Sequence, residues 1–333
     1  MSPPMSPHAD HAKLTQRAAL ASVTMALFLL GLKSYAALET GSIAMLASLA
    51  DTALDVVASL VTLFGVWVAA IPADEDHRYG HGKAESLAAL VQVGIIAVSA
   101  IGIAWRAVER LLAEQPTEDA EYGIAVSVVA IGATLCLLAY QRSVIRRTGS
   151  VAIRADNVHY QTDLLLNLSV IGAIVADQVL GFTGADPVFG IAIAAWLLYG
   201  AARASGEAVD QLMDKEWPEE RRIAFARIAG EHPASRGVHD LRTRTSGAHQ
   251  FATFHIWVDP AMTVAEAHDV MEEIEARLAL DYPGVEVLIH LDPEGKVDQP
   301  GNPLAETNLT PQQQAAKDEM TTSNLRSSRA GIE

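Results

Sequence analysis

The chain has 333 residues and a single cysteine, Cys136, set within an apolar stretch. One thiol cannot build a disulfide framework or a thiolate metal cluster, so any metal site must use His, Asp and Glu. Positive charge is also scarce: 24 Lys and Arg stand against 40 Asp and Glu, a formal net charge of -16. That balance argues against nucleic acid, whose binders need a basic footprint. Aromatic residues make up only 6%. An organic-cation transporter would want an aromatic-lined cavity, and the apolar blocks at 42–70 and 152–180 show no aromatic stripe. The first residues, "MSPPMSPHADHAKLTQ", lack the basic start and short apolar core of a signal peptide. Residues 1–16, with His8 and His11, are expected to form a disordered cytoplasmic tail.

What is abundant is apolar sequence, and it is front-loaded. Six blocks of membrane-spanning length lie at about 17–38, 42–70, 84–112, 121–141, 152–180 and 186–212. Residues 17–212 are thus expected to form a six-helix transmembrane domain in a lipid bilayer. The connections alternate in character. "ETG", "AEQPTEDAE" and "GFTGAD" carry no Lys or Arg, whereas Lys13, Arg17, Arg78, Lys83, Arg142, Arg146, Arg147 and Arg154 gather on the other side. This asymmetry predicts cytoplasmic N- and C-termini. Lys33 blurs the outer end of span one, and Arg106 and Arg110 that of span three. Long basic side chains can snorkel from such positions.

Polar residues inside the spans are not scattered. In span two, Ser48, Asp51, Asp55, Ser59 and Thr62 recur at intervals of three and four, so they share one stripe. In span five, His159, Asp163 and Asn167 fall at strict fours. One acidic residue at mid-bilayer is disfavoured by about 2.5–3.5 kcal/mol on insertion scales, and three multiply that cost. From the helical rise, Asp51 lies roughly 15 Å and Asp163 roughly 27 Å below the outer ends of their helices. Two packed helices would join Asp51, Asp55, His159 and Asp163 into one set of three carboxylates and an imidazole. Four such ligands suit tetrahedral Zn(II), and also Fe(II), Cd(II) or Mn(II). A polar interhelical lock is the alternative, although Ser, Thr or Asn would make one at lower cost. Metal binding requires ionised carboxylates and neutral imidazole, so metal and protons compete for the same atoms.

The loop "PADEDHRYGHGKAES" holds Asp74, His77 and His81. This is either a three-ligand metal site or a solvated charged loop. Beyond it, residues 213–296 read as a mixed soluble domain. A helix over 217–232 starts at a proline and stops near Gly230. Strands follow at about 237–245 and 250–259, then a capping box at Thr263 opens a helix to about Leu280, and a strand covers 284–290. The order αββαβ is that of a ferredoxin-like α+β domain. His239, His255, His268, His290 and Asp292 populate it unevenly, and one carboxylate among several imidazoles can bridge two metals; chance placement is the alternative. His232 and His249 fall near turns. The tail 297–333 is polar, without periodicity, and is expected to be disordered.

Taken together, "SLADTALD", "PADEDHRYGHGKAES", "RADNVHYQTD", "HDLRTRTSG" and "IHLDP", in this order across six spans and an αββαβ domain, resemble the cation diffusion facilitator family. The likeness is greatest to its bacterial zinc and ferrous-iron efflux branch and covers about residues 14–294. The resemblance implies a homodimer in the bacterial inner membrane that exports divalent metal by alternating access in exchange for protons, with no enzymatic chemistry. It implies a transport site of Asp51, Asp55, His159 and Asp163, and a loop site of Asp74, His77 and His81. It also implies a binuclear site of His239, His255, His268, His290 and Asp292, with bound structural or regulatory metal. Lys83 and Asp214 match a charge interlock at the dimer junction. Leu291 stands where close relatives carry Gln, which raises the expectation of a differently tuned binuclear site. The two-Asp plus His-Asp set fits Zn(II), Cd(II) and Fe(II) better than Mn(II). A metal sensor or assembly partner that binds without transport is the competing reading.

Overall fold

The computed structural model describes residues 7–40, 43–113, 121–180 and 185–295, with Asp51 described in its backbone alone. The chain divides into two compact units, residues 1–213 with 246–248, and 214–245 with 249–333. The first unit is a bundle of six long helices: α1 (Pro7–Thr40), α2 (Ile43–Ala69), α3 (Ala84–Ala113), α4 (Glu121–Thr148), α5 (Val151–Leu180) and α6 (Ala185–Leu212). Among the described residues, five segments are long and apolar enough to cross a membrane: Asp10–Leu38, Thr52–Ala69, Ala84–Leu112, Val128–Thr148 and Pro187–Leu212. The sixth long helix is α5, which carries Arg154, Asp156, Asn157, His159, Gln161 and Asp163 in its first half. Of the expected tail, residues 1–6 lie outside the described residues. Helix α1 begins at Pro7, a residue suited to a first helical turn, with Asp10 close behind it. Residues 7–16 of that tail are therefore helical. The expected C-terminal tail, 297–333, lies outside the described residues.

In lipid, helices associate through close packing rather than water exclusion, and small residues allow it. The seams follow this rule. Ala18 and Ala19 of α1, Val66 of α2, Val144 of α4 and Ala152 and Ile153 of α5 form one buried cluster. Ile96 and Ala100 of α3 meet Ile193, Leu197 and Ala201 of α6 in another. Gly65 marks a close approach of α2 to α3: a Cβ there would lie 2.2 Å from the Ala88 Cβ. The outward faces carry large apolar side chains such as Val98, Trp105, Leu112 and Tyr199, all exposed and suited to acyl chains.

The second unit comprises α7 (Glu219–Gly230), β1 (Val238–Ser246), β2 (His249–Val258), α8 (Val264–Asp281) and β3 (Val285–Pro293). The sheet order is β1-β2-β3, and β2 pairs parallel to β3 with His255 opposite His290. Parallel pairing requires a crossover, and α8 supplies it. Thr263 and Glu266 close a reciprocal capping box at its start. Strand β2 alternates: Phe254, Ile256 and Val258 are buried in a core with Trp217, Phe225, Ile274, Leu278 and Ile289. Phe225 packs edge-on against Phe254 and Tyr282, with centroids 5.8 and 5.1 Å away. Leu291 joins this core. Because strand side chains alternate, His290 and Asp292 project from the opposite face. The Leu291 side chain therefore does not stand among the histidines.

Candidate metal centres

Three groups of potential ligands occur among the described residues. The first lies inside the helix bundle. Asp55 comes from α2, and His159 and Asp163 come from consecutive turns of α5, so the i, i+4 spacing stacks them on one face. Asp55 Oδ1 is 3.2 Å and Asp163 Oδ2 3.9 Å from His159 Nε2. Each residue contributes one ligand atom, and all three atoms fall within 4.8 Å of one another. His159 is 5% exposed, and its Nε2 has no hydrogen-bond partner among the described residues. A buried ring nitrogen aimed at two carboxylates without an aligned hydrogen bond is costly as a static contact. It is the arrangement a metal ligand would take. Asp51 lies one helical turn before Asp55 on α2; its side chain is outside the described residues. Asn167, part of the same sequence stripe, is turned away: its Nδ2 donates to the Asp163 carbonyl at 2.7 Å.

Neighbouring polar groups, not signalled by the spacing, hold this region. The Tyr160 hydroxyl donates to the Ser22 carbonyl of α1 at 2.7 Å and lies 3.0 Å from Ser59 Oγ of α2. Tyr160 is fully buried. Asp156, also fully buried, accepts through Oδ2 from Ser22 Oγ and, at 2.7 Å, from Gln141 Nε2 of α4. Asn157 Nδ2 in turn donates to Gln141 Oε1 at 2.9 Å. These bonds tie α5 to α1, α2 and α4 beside the carboxylate pair. The letters "AD" and "HY" in "RADNVHY" are visible in sequence, but the helices facing them are not.

The second group is the loop between α2 and α3. Asp74 lies 3.2 Å from His77 Nδ1 and 3.5 Å from His81 Nε2. The two imidazoles stand 4.3 Å apart, centroid to centroid. Backbone N–H groups of His77 and Asp76 donate to Asp74 Oδ1 at 2.6 and 3.1 Å. The backbone bond from His77, above all, holds the Asp74 carboxyl below its ordinary range. Spacing therefore located all three side chains that meet here.

The third group sits on the face of the C-terminal sheet opposite its core. His255 Nδ1 and His239 Nε2 are 2.8 and 3.1 Å from Asp292 Oδ2, and His290 Nε2 is 3.2 Å from Asp292 Oδ1. One carboxylate thus meets three imidazoles, as the strand register predicts. Burial pushes the Asp292 carboxyl up, but the His255 hydrogen bond and the His290, His255 and His239 charges outweigh it and leave it below its ordinary value. The Trp257 ring stacks on His239 at 4.2 Å. His268 is not brought to this cluster: it is exposed on α8 and pairs with Glu272 Oε1 at 3.3 Å. Asp240 approaches instead, with Oδ2 3.8 Å from His255 Nε2. It has a left-handed backbone (φ 54 belongs to Asp214, φ 46 to Asp240), which no spacing rule announces.

The residues of the expected interlock fall in separate units. Lys83 Nζ donates to the Leu212 carbonyl at 3.2 Å, and Asp214 Oδ1 lies 3.8 Å from Arg244 Nη1.

A bundle of long apolar helices with acids and an imidazole converging inside it, joined to a small α+β domain, defines a multi-pass membrane protein of the metal-handling class. Family models agree: the "Cation efflux transmembrane domain" matches residues 19–213, and the "Cation efflux protein, cytoplasmic domain" matches 217–294. The chain belongs to the cation efflux, or cation diffusion facilitator, family, whose members are transporters and not enzymes. It is similar to the cation-efflux pump FieF of Serratia proteamaculans (strain 568), 42% identical over 284 residues, or 85% of this chain and 94% of that protein. The FieF protein of Pectobacterium atrosepticum is 40% identical over 295 residues, covering 89% and 97%. A solved structure of CzrB in its zinc form is 35% identical over 26% of this chain and all of that one, with a TM-score of 0.25.

Proposed function

We propose that this protein exports Zn(II), and also Fe(II) or Cd(II), from the bacterial cytoplasm in exchange for protons, by alternating access within a homodimer. The observation that carries the reading is the convergence of Asp55, His159 and Asp163 inside the bundle, where His159 Nε2 makes no aligned hydrogen bond among the described residues. Asp51, one turn away on α2, completes the ligand set. Metal in this reading is the cargo. It displaces protons from the same atoms as it binds, because the imidazole must be neutral and the carboxylates ionised. Exposure of the site to the two sides in turn converts that competition into exchange. The sequence of the FieF relatives supports efflux, and the family supports metal as the cargo.

In the same reading, His239, His255, His290 and Asp292 bind metal that stabilises paired cytoplasmic domains, and Asp74, His77 and His81 form a loop site near the membrane surface. Lys83 and Asp214 act as a charge interlock at the dimer junction. His268 takes part only if metal draws α8 towards the sheet. The N- and C-termini lie in the cytoplasm, as the Lys and Arg distribution indicates. The test is metal uptake into proteoliposomes under an imposed pH gradient, with Zn(II), Cd(II), Fe(II) and Mn(II) in competition. Zn(II), Cd(II) and Fe(II) should compete with one another more strongly than Mn(II) does. Unimpaired uptake by a folded Asp55→Ala protein would remove the assignment.

A further inference from the structure

Lys33 lies within the membrane-crossing part of α1, and its position near the outer end of an apolar block suggests snorkelling. The structure shows something else. Its Nζ donates to Thr52 Oγ1 of α2 at 2.7 Å. Thr52 is 1% exposed, follows Asp51 directly and precedes Asp55 by three positions. The Lys33 charge is also within electrostatic reach of Asp163. The lysine is thus seated on the helix that carries the acids, beside the stripe they form.

Charge counting gives this seat a meaning. Asp51, Asp55 and Asp163 carry three negative charges when ionised, and neutral His159 adds none. The Lys33 ammonium offsets one of these charges and a divalent cation two more, with buried Asp156 also within electrostatic reach of His159 and Asp163. Without Lys33, the loaded site would hold one more uncompensated negative charge in a low-dielectric environment, where isolated charge is expensive.

We propose that Lys33, tethered by Thr52, is a charge-setting specificity residue of the transport site, matching it to a divalent cation and weakening the hold enough for release. This rests on the transport reading above. The ammonium acts through its fixed charge and does not contact the metal. Removing it should strengthen metal binding, because repulsion between a divalent ion and a nearby fixed cation is lost. It should also slow turnover, because a tighter site releases its cargo less readily.

The test uses the full-length chain with Asp74→Ala and Asp292→Ala, so that the bundle ligands report without the other two groups. Zn(II) binding is measured by calorimetry at pH 8, and Zn(II) flux in proteoliposomes. Lys33→Gln keeps a hydrogen-bonding group and removes the charge; Lys33→Met removes both; Lys33→Arg keeps the charge. Lys33→Gln and Lys33→Met should lower the Kd about tenfold or more and reduce both KM and kcat, as expected for one unit charge at intermediate dielectric. Lys33→Arg should resemble the parent, and Thr52→Val should fall between. Unchanged or weaker binding in folded Lys33→Gln, or a Lys33→Arg protein that tracks it, would overturn the proposal. Absence of flux in the parent would instead remove the transport reading, and the binding arm would still decide the role of Lys33.

Discussion

Replacing Tyr160 by Phe removes a single oxygen at the junction of three helices. That hydroxyl donates to the Ser22 carbonyl of α1 and lies at hydrogen-bond distance from Ser59 Oγ of α2. The ring remains, so no cavity opens around Leu137 and Leu138, which pack with it. The loss is confined to two hydrogen bonds. Side-chain bonds between membrane helices average about 0.6 kcal/mol and reach about 1.7 kcal/mol in double-mutant cycles. Losing both therefore predicts a destabilisation of about 1–3 kcal/mol. Ser59 sits one turn beyond Asp55, and Tyr160 adjoins His159, so the same change should loosen the pairing of the two ligand-bearing helices and weaken Zn(II) binding severalfold. The assay is reversible unfolding of the purified protein in mixed micelles for wild type, Tyr160→Phe, Ser59→Ala and the double variant, with Zn(II) binding measured in parallel. A coupling energy of about 0.6–1.7 kcal/mol between positions 59 and 160 is expected. Additive effects of the two substitutions would refute the claim that this hydroxyl joins α2 to α5.

Gly65→Ala should destabilise the bundle by about 1–3 kcal/mol, the usual cost of overpacking, because its Cβ would lie 2.2 Å from the Ala88 Cβ. Gly102→Ala, with nothing within 4 Å of the new methyl, should show no such loss in the same unfolding assay. In the metal-free protein, the depressed Asp292 pKa contributes stability that is present above the unfolded carboxyl value and lost as pH falls through the folded one. Acid titration of the C-terminal domain, followed by tryptophan fluorescence, should therefore lose a transition below about pH 4 in Asp292→Asn. A wild-type transition retained unchanged by that variant would contradict the assignment. His255→Ala should lower the metal bound per chain, whereas His268→Ala should lower it less, measured by equilibrium dialysis with the bundle and loop ligands intact in both. Equal losses would show that α8 contributes as strongly as β2.

Much of this arrangement could be read from spacing because helices and strands impose periods on side chains. Residues four apart share a helix face, so spacing alone pairs His159 with Asp163. Residues two apart share a strand face, so spacing pairs His290 with Asp292 as well. The same reasoning failed where a contact depends on which element lies opposite. Lys33 reads as a snorkelling residue on α1 alone, and only its packing against α2 reveals the bond to Thr52. Tyr160, Asp156 and Gln141 look like ordinary polar interruptions until α1, α4 and α5 are brought together. The family resemblance groups His268 with the sheet histidines, yet the exposed face of α8 carries it to Glu272. Leu291 invited a functional explanation from its place between two ligands, although strand alternation alone assigns it to the core. Helix α1 begins earlier than its apolar block because polar and alanine-rich sequence is also good helix-forming sequence.

The central claim is that metal and protons exchange through the Asp51, Asp55, His159 and Asp163 set. It is tested most directly by following Zn(II) and pH together inside proteoliposomes that hold a metal indicator and a pH indicator. Zn(II) entry accompanied by alkalinisation of the lumen, with both signals lost in folded Asp55→Ala, is the predicted result. Zn(II) entry with no movement of protons, or both signals unchanged in Asp55→Ala, would contradict it.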